Sequence, residues 1–290
     1  MKLIAAILLS TLAAAPSLKV DAGEWTYGLA AGGGSIWSGG LAIGDVLRID
    51  PQSGKVVSRV NVGARVFNLA AAPGAVWAVA NITGSATRID TRTGKVAATV
   101  SVGTAPYDVE WGFGSAWVSN SADGTVSRIT GKKVVKTIEV GVEPNGLAAV
   151  GGSLWVTDHT AGKLVRIDPR TNRVSGSVAL EGADWVTGHG GSLYVSQETN
   201  VVSRVDPQTL KVTGAAKVKR NPLGSAIVGG KLWVPCIDAN TIVVVDPKTM
   251  HVVKELRGGP SPIVVLPAGH HVWVSHTTGN AIWRLDSLTR

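Results

Sequence analysis

Residues 75–80 read Ala-Val-Trp-Ala-Val-Ala, and six other stretches repeat the pattern: SIWSGG at 35–40, SAWVSN at 115–120, SLWVTD at 153–158, SLYVSQ at 192–197, KLWVPC at 231–236 and HVWVSH at 271–276. Their central aromatics, Trp37, Trp77, Trp117, Trp155, Tyr194, Trp233 and Trp273, lie 40, 40, 38, 39, 39 and 40 residues apart. Thirteen residues beyond most anchors, a strand of the Arg-Ile-Asp type closes on Asp50, Asp90, Asp168, Asp246 or Asp286. Asp206 sits one residue nearer its anchor, and Thr130 replaces the aspartate in the third unit. Short runs of alternating polarity between turn signals read as strands, and a period near 40 residues reads as a four-stranded blade. The expected fold is therefore all-β: a seven-bladed β-propeller of four-stranded blades.

The second unit divides by pattern into strands at 67–72, 75–80, 85–90 and 95–102. Its last two strands are joined by a turn of the kind seen at 50–55 (Asp-Pro-Gln-Ser-Gly-Lys) and 168–173 (Asp-Pro-Arg-Thr-Asn-Arg). Proline early and Gly or Asn late, where positive φ is needed, give that turn its mechanism. Leu210 and Met250 take the late position elsewhere, so strained or differently shaped turns are expected there. The seventh unit ends at Arg290 without a fourth strand, while Leu18–Ala22 aligns with fourth strands of other units. That segment is expected to pair into the last blade and close the ring, which removes the open sheet edges.

Residues 1–15 differ from the rest: Lys2, then the apolar run Leu3–Leu9, then small residues to Ala15. This describes a secretory signal peptide, followed by one propeller domain at 16–290, and a periplasmic or secreted location. No stretch approaches the ~18 apolar residues of a membrane span. Cys236 is the only cysteine, so no internal disulfide forms. Without Lys2, 27 basic side chains face 20 acidic ones. The basic ones recur blade by blade as Arg48, Arg88, Arg128, Arg166, Arg204 and Arg284, which spreads charge around the rim. A nucleic-acid surface would cluster them, ideally with exposed aromatics, so no nucleic-acid partner is expected.

Function is expected at the channel mouth, where loops escape the packing constraints of the repeat. The position three after each anchor reads Gly40, Ala80, Asn120, Asp158, Gln197, Cys236 and His276, and the next reads Leu41, Asn81, Ser121, His159, Glu198, Ile237 and Thr277. The loops entering the first strands add Tyr107, Asp108, Glu143, Asn145, Glu181, Asp184, Trp185 and Asn221. Candidate ligand contacts are Tyr107, Asp108, Asn120, Asn145, Trp185, Gln197, Glu198 and Cys236, in a half-ring that suits one asymmetric ligand; ordinary hydrated channel residues are the competing reading. Glu143 and Asp158, with His159 in the same blade, could hold a hard divalent cation, the carboxylates dominating as Mg²⁺ prefers. His159 and His276 are candidates for proton transfer. Cys236 and His276, at equivalent places on adjacent blades, form a second conceivable metal pair, with a buried small cysteine as the alternative.

In the fourth unit, Glu143-Pro144-Asn145-Gly146-Leu147 followed by Trp155-Val156-Thr157-Asp158 resembles the streptogramin B (virginiamycin B) lyase-like propellers and the related YVTN-repeat propellers. That resemblance implies a Mg²⁺-dependent elimination served by Glu143 and, in place of a second glutamate, Asp158. It also implies a histidine where this chain has Asn145, and an amide cannot take a proton near neutral pH. Two functional classes follow: a binding propeller for a small molecule, peptide or protein partner, and a metal-dependent lyase or lactonase-like hydrolase. A scaffold with no small-molecule site is the third.

Overall fold

The computed structural model describes residues 16–286. Residues 1–15, read from the sequence as a signal peptide, lie outside them. Seven antiparallel four-stranded sheets account for the strands. Blade 1 runs Thr26–Gly32, Ser35–Gly40, Asp45–Ile49 and Val56–Asn61, and the others repeat that order. Blade 2 follows at Val66–Ala72, Ala75–Ala80, Ser85–Asp90 and Val96–Ser101, within a residue of its sequence-based division at most strand ends. The one helical element is the 3-10 turn Ile237–Ala239 among the described residues. No helix there is long and apolar enough to cross a membrane.

Closure follows the expected route. Leu18–Asp21 pairs antiparallel with Ala281–Asp286, so the N-terminal strand completes blade 7. Val20 and Ala22 are buried in the core shared by blades 7 and 1.

Each anchor aromatic is buried between neighbouring sheets. Trp37, Trp117 and Trp155 donate their indole N–H to Gly32, Gly112 and Val150 carbonyls. First strands approach closely enough that a Cβ on Gly28 would lie 2.6 Å from the Asn68 backbone, and one on Gly224 2.6 Å from the Ile263 carbonyl. Only glycine permits that contact, which narrows the channel.

The recurring arginines are ties between blades. Arg128, Arg166, Arg204 and Arg284 donate to the carbonyls of Pro169, Pro207, Pro247 and Pro51, each in the outer turn of the next blade. Three of the series also lie over anchor rings: Arg48 on Trp37, Arg128 on Trp117 and Arg166 on Trp155, at 4.6–6.0 Å. This fixes their charge in the packing, consistent with cation–π attraction. Leu210 and Met250 do take positive φ, 57° and 58°. Their side chains pack on the cores of blades 5 and 6, which offsets the ~1–2 kcal/mol cost of that conformation.

Candidate functional site at the channel mouth

Seven equivalent backbone hydrogen bonds build the mouth. The residue four after each anchor donates its N–H to the carbonyl of the residue entering the first strand. The pairs run Leu41–Trp25, Asn81–Arg65, Ser121–Ala105, His159–Glu143, Glu198–Gly182, Ile237–Asn221 and Thr277–Ser261, at 2.9–3.1 Å. The rim is thus apolar at blade 1, where Trp25 is 53% exposed, basic at Arg65 and acidic at blades 4 and 5.

The position three after each anchor does not line the mouth, contrary to the expectation from sequence. Asn120, Asp158, Gln197, Cys236 and His276 are all buried. Most of them hold the loop that enters the first strand. Asn120 accepts from the Gly103 N–H and donates to Thr125 and Ser127. Asp158 accepts from the Val142 and Glu143 N–H groups and pairs with Lys163 at 3.5 Å. Gln197 donates to the Glu181 carbonyl. In blade 1, Glu24 supplies the carboxylate from the loop side, filling the space left by Gly40 and accepting from Ala42 and Ile43 N–H groups. The reason is strand alternation: the last residue of the second strand turns its side chain into the blade.

His276 and Cys236 therefore form no metal pair facing the mouth. Both His276 ring nitrogens face carbonyls, of Gly258 and Ala281, at 2.9 Å. Burial holds its pKa below the ordinary imidazole value. Burial likewise pushes the Cys236 thiol up to about 12, which leaves it an inert small residue.

Below the rim, the residue ten before each anchor forms the floor: Tyr27, Phe67, Tyr107, Asn145, Asp184, Leu223 and Ile263. Three first strands place aromatic rings side by side, with centroids 4.8–6.1 Å apart. Tyr27 and Tyr107 join their hydroxyls at 2.6 Å. Partly buried Trp185 packs into the same cluster from blade 5. Asp108, one position further on, is buried and accepts from the Val109 and Leu147 N–H groups, tying blade 3 to blade 4. Burial raises its carboxyl to about 7.

Asp184 is the carboxylate that reaches the site. Asn145 donates to it at 2.9 Å across the junction of blades 4 and 5. Burial pushes it up to about 6, against the pull of Asn145 and His159 and with a push from Glu198 and Glu143. His159, Asp184 and Glu198 each offer a ligand atom, all within 4.8 Å of one another. His159 Nε2 lies 3.5 Å from Glu198, and its Nδ1 is buried without a hydrogen-bond partner among the described residues. Thr160 donates to the neighbouring Glu143 carboxylate.

The structure thus brings together Glu143, Asn145, His159, Trp185 and Glu198 with Tyr107 at one mouth, and withdraws Asp108, Asn120, Asp158, Gln197, Cys236 and His276 into the blades. The sequence-based site lacked Tyr27 and Phe67, and Asp184 stood in it only as one loop residue among several. Their signal was the column ten before the anchors, where no residue type dominates.

A Mg²⁺ held by Glu143 and Asp158 does not fit, because the backbone and Lys163 take the Asp158 oxygens. The cluster of one imidazole and two carboxylates suits a borderline cation such as Zn²⁺ or Mn²⁺ better than Mg²⁺.

Residues 113–259 match the model of a family described as glutamine cyclotransferase. Among solved structures, Kuenenia stuttgartiensis hydrazine synthase superposes with a TM-score of 0.80 at 14% identity, covering 100% of both chains. A streptogramin B lyase superposes with a TM-score of 0.79 at 16% identity, over 93% of this chain and 95% of that one. Such identities show a shared propeller fold, in line with the resemblance read from the fourth blade. No curated protein matches by sequence.

Proposed function

The chain belongs to the glutamine cyclotransferase family, and from that premise we propose that it is an exported propeller whose mouth binds a small molecule or peptide carrying a protonated amine. The convergence of Asp184, Glu198 and His159 within 4.8 Å, drawn from two blades, carries this reading. An ammonium group would sit between the two carboxylates, above aromatic faces that attract cations. Blade 1, with Trp25 and Leu41, offers an apolar side for the rest of the ligand. A carboxylate pocket on a chain of net charge +8 focuses a field opposite to that of the surrounding surface. Export is supported by the basic, then apolar, then small-residue order of residues 1–15.

Calorimetric titration of the mature chain with small primary amines tests this. We expect saturable binding that weakens at least tenfold in Asp184→Asn and in Glu198→Gln. Equal affinity in both variants and the parent would sink it.

A second reading is catalytic, and the family match favours it: Glu143, Asn145, His159, Asp184 and Glu198 all lie inside the matched segment. In a cyclotransfer, the amine nitrogen attacks the carboxamide carbon of the same molecule, a new C–N bond forms, and ammonia leaves. Asp184 or Glu198 is placed to take the proton from the attacking amine, and His159 to pass one to the leaving nitrogen. A divalent cation, where bound, would rest on His159, Asp184 and Glu198 and would polarise a carbonyl. Ammonia release from glutaminyl peptides, with and without added Zn²⁺, Mn²⁺ or Mg²⁺, separates catalysis from binding alone. Loss of that release in His159→Ala with amine affinity retained is the result expected of an enzyme.

A further inference from the structure

Within the arginine series, Arg88 is left without any polar partner among the described residues. Arg88 occupies the same position in blade 2 that Arg128, Arg166 and Arg204 occupy in theirs, yet among the described residues it makes neither a hydrogen bond nor an ion pair. Each kind of partner its counterparts use is missing. Arg48 and Arg128 donate through Nε to Ser35 and Ser115, and the equivalent residue in blade 2 is Ala75. Arg166 and Arg204 donate to Ser175 and Thr213, whose equivalent by strand register is Ala97. The proline carbonyl of the next blade is absent too. In blade 3, four residues separate paired Ile129 and Val134, where six separate Ile89 and Val96 in blade 2. The turn Thr130-Gly131-Lys132-Lys133 is therefore two residues too short to place an acceptor against Arg88.

That shortening leaves a cleft of about 290 Å³ between blades 2 and 3. Arg88, Lys132, Trp77, Trp111, Ala97 and Ala98 line it. Trp77 is 1% exposed, and its indole N–H is buried without an acceptor among the described residues, unlike those of Trp37, Trp117 and Trp155. Two cations, one unused buried donor and two indole rings thus surround one space. The alanines at 75 and 97 keep internal oxygens out of reach of Arg88.

We propose that this cleft, on the face opposite the mouth, binds a small carboxylate carried on a flat apolar body. Arg88 takes the carboxylate in the forked geometry that a guanidinium offers two oxygens, and Lys132 adds a second positive charge. Trp111, partly exposed, supplies apolar surface for the flat body, and buried Trp77 closes the cleft behind it. The volume limits the ligand to about the size of benzoate, at the small end of ligand pockets. The site is independent of the mouth and of the function proposed for it.

The test is calorimetric titration of the mature chain with benzoate, its neutral isostere benzamide, and inorganic phosphate, with tryptophan fluorescence as a second readout. Benzoate is expected to bind and to perturb the emission, with benzamide at least tenfold weaker. Arg88→Gln should abolish binding. Ala97→Thr, which gives Arg88 the internal acceptor that Thr213 gives Arg204, should weaken benzoate at least tenfold without lowering the melting temperature. No benzoate binding at millimolar concentration, unchanged affinity in both variants, or phosphate binding as tightly as benzoate would each overturn the proposal.

Discussion

Asn145 donates its side-chain amide to Asp184 at 2.9 Å, across the seam between blades 4 and 5. The same Asn145 accepts from the Ser121 hydroxyl of blade 3, so its orientation is fixed from the other side. An amide held this way cannot exchange a proton, but it favours the ionised form of the carboxylate it faces. Asn145 is thus a positioning residue that offsets part of the upward push of burial on Asp184. Asn145→Ala removes the offset. A hydrogen bond to a charged group contributes ~1.5–3 kcal/mol, which amounts to ~1–2 pKa units. Amine affinity, read by calorimetry across pH, should fall as pH drops through about 6 in the parent. In the variant it should fall at a pH roughly one unit higher or more. An unmoved midpoint would show that another group governs binding.

Asp158 and Asp184 divide two roles that carboxylates in this region could have shared. Asp158 has no exposed surface and holds two backbone N–H groups and Lys163. Asp158→Ala strands these donors, and breaking a buried, hydrogen-bonded ion pair costs ~3–5 kcal/mol. Lys163 is a third exposed, so the lower end of that range is expected. Denaturant unfolding should show the loss, whereas amine affinity measured on the folded fraction should stay within about twofold of the parent. Asp184→Asn should do the opposite, weakening affinity without lowering stability at neutral pH. Matching phenotypes in the two variants would contradict this division.

The architecture was readable because the anchors, the Arg-Ile-Asp strands and the turn prolines all report one period. Closure was readable for the same reason, since Leu18–Ala22 fits only the missing fourth strand. The mouth was misplaced by one residue. Asn120, Asp158, Gln197 and His276 look like rim residues in sequence, but they end a strand and turn inward, while His159 and Glu198 begin the loop and turn outward. The cluster itself was harder to see. His159 comes from blade 4 and Asp184 and Glu198 from blade 5, and they meet only when the two blades pack. Nearness in sequence favoured Glu143 with Asp158, of which the fold spends one on its own backbone. The floor of Tyr27, Phe67 and Tyr107 occupies a column with no repeated letter, and a search for the repeat passes over it.

Buried carboxyls give the fold a pH dependence with a definite sign. Burial raises Asp108 to about 7 and Asp184 to about 6, both above the ordinary carboxylate value. Below that ordinary value both folded and unfolded chains are protonated, and nothing is lost. As pH rises, the unfolded chain ionises first and is favoured, so stability falls between ~4 and the folded value, at roughly 1.4 kcal/mol per unit of separation. The turn aspartates Asp50, Asp90, Asp168, Asp206 and Asp246 are held below the ordinary value by hydrogen bonds, from the turn backbone or, first for Asp246, from Lys231. They act in the opposite sense, at more acidic pH. Thermal unfolding should therefore show greater stability at pH 5 than at pH 8, and Asp108→Asn should flatten that slope. A melting temperature that rises from pH 5 to pH 8 would refute the assignment.

Two of the contacts at the seam between blades 7 and 1 are separable. One is the sheet pairing of Leu18–Asp21 with Ala281–Asp286, with Val20 buried at 2% exposure beneath it. The other is Arg284, which reaches the Pro51 and Gln52 carbonyls of blade 1. Removing residues 17–21 deletes the first and leaves the second. The outer edge of the last sheet then presents unpaired backbone groups, and an unprotected edge recruits another strand. A chain beginning at Ala22 should melt lower and elute as dimers or larger species in a concentration-dependent way. Val20→Ala keeps the pairing and removes only buried methyl groups, so it should cost ~1–2 kcal/mol and leave the chain monomeric. If the shortened chain stays monomeric with the parent's melting temperature, the strand is not what closes the ring, and Arg284 with the Thr26–His276 and Ser275–Tyr27 bonds would have to suffice.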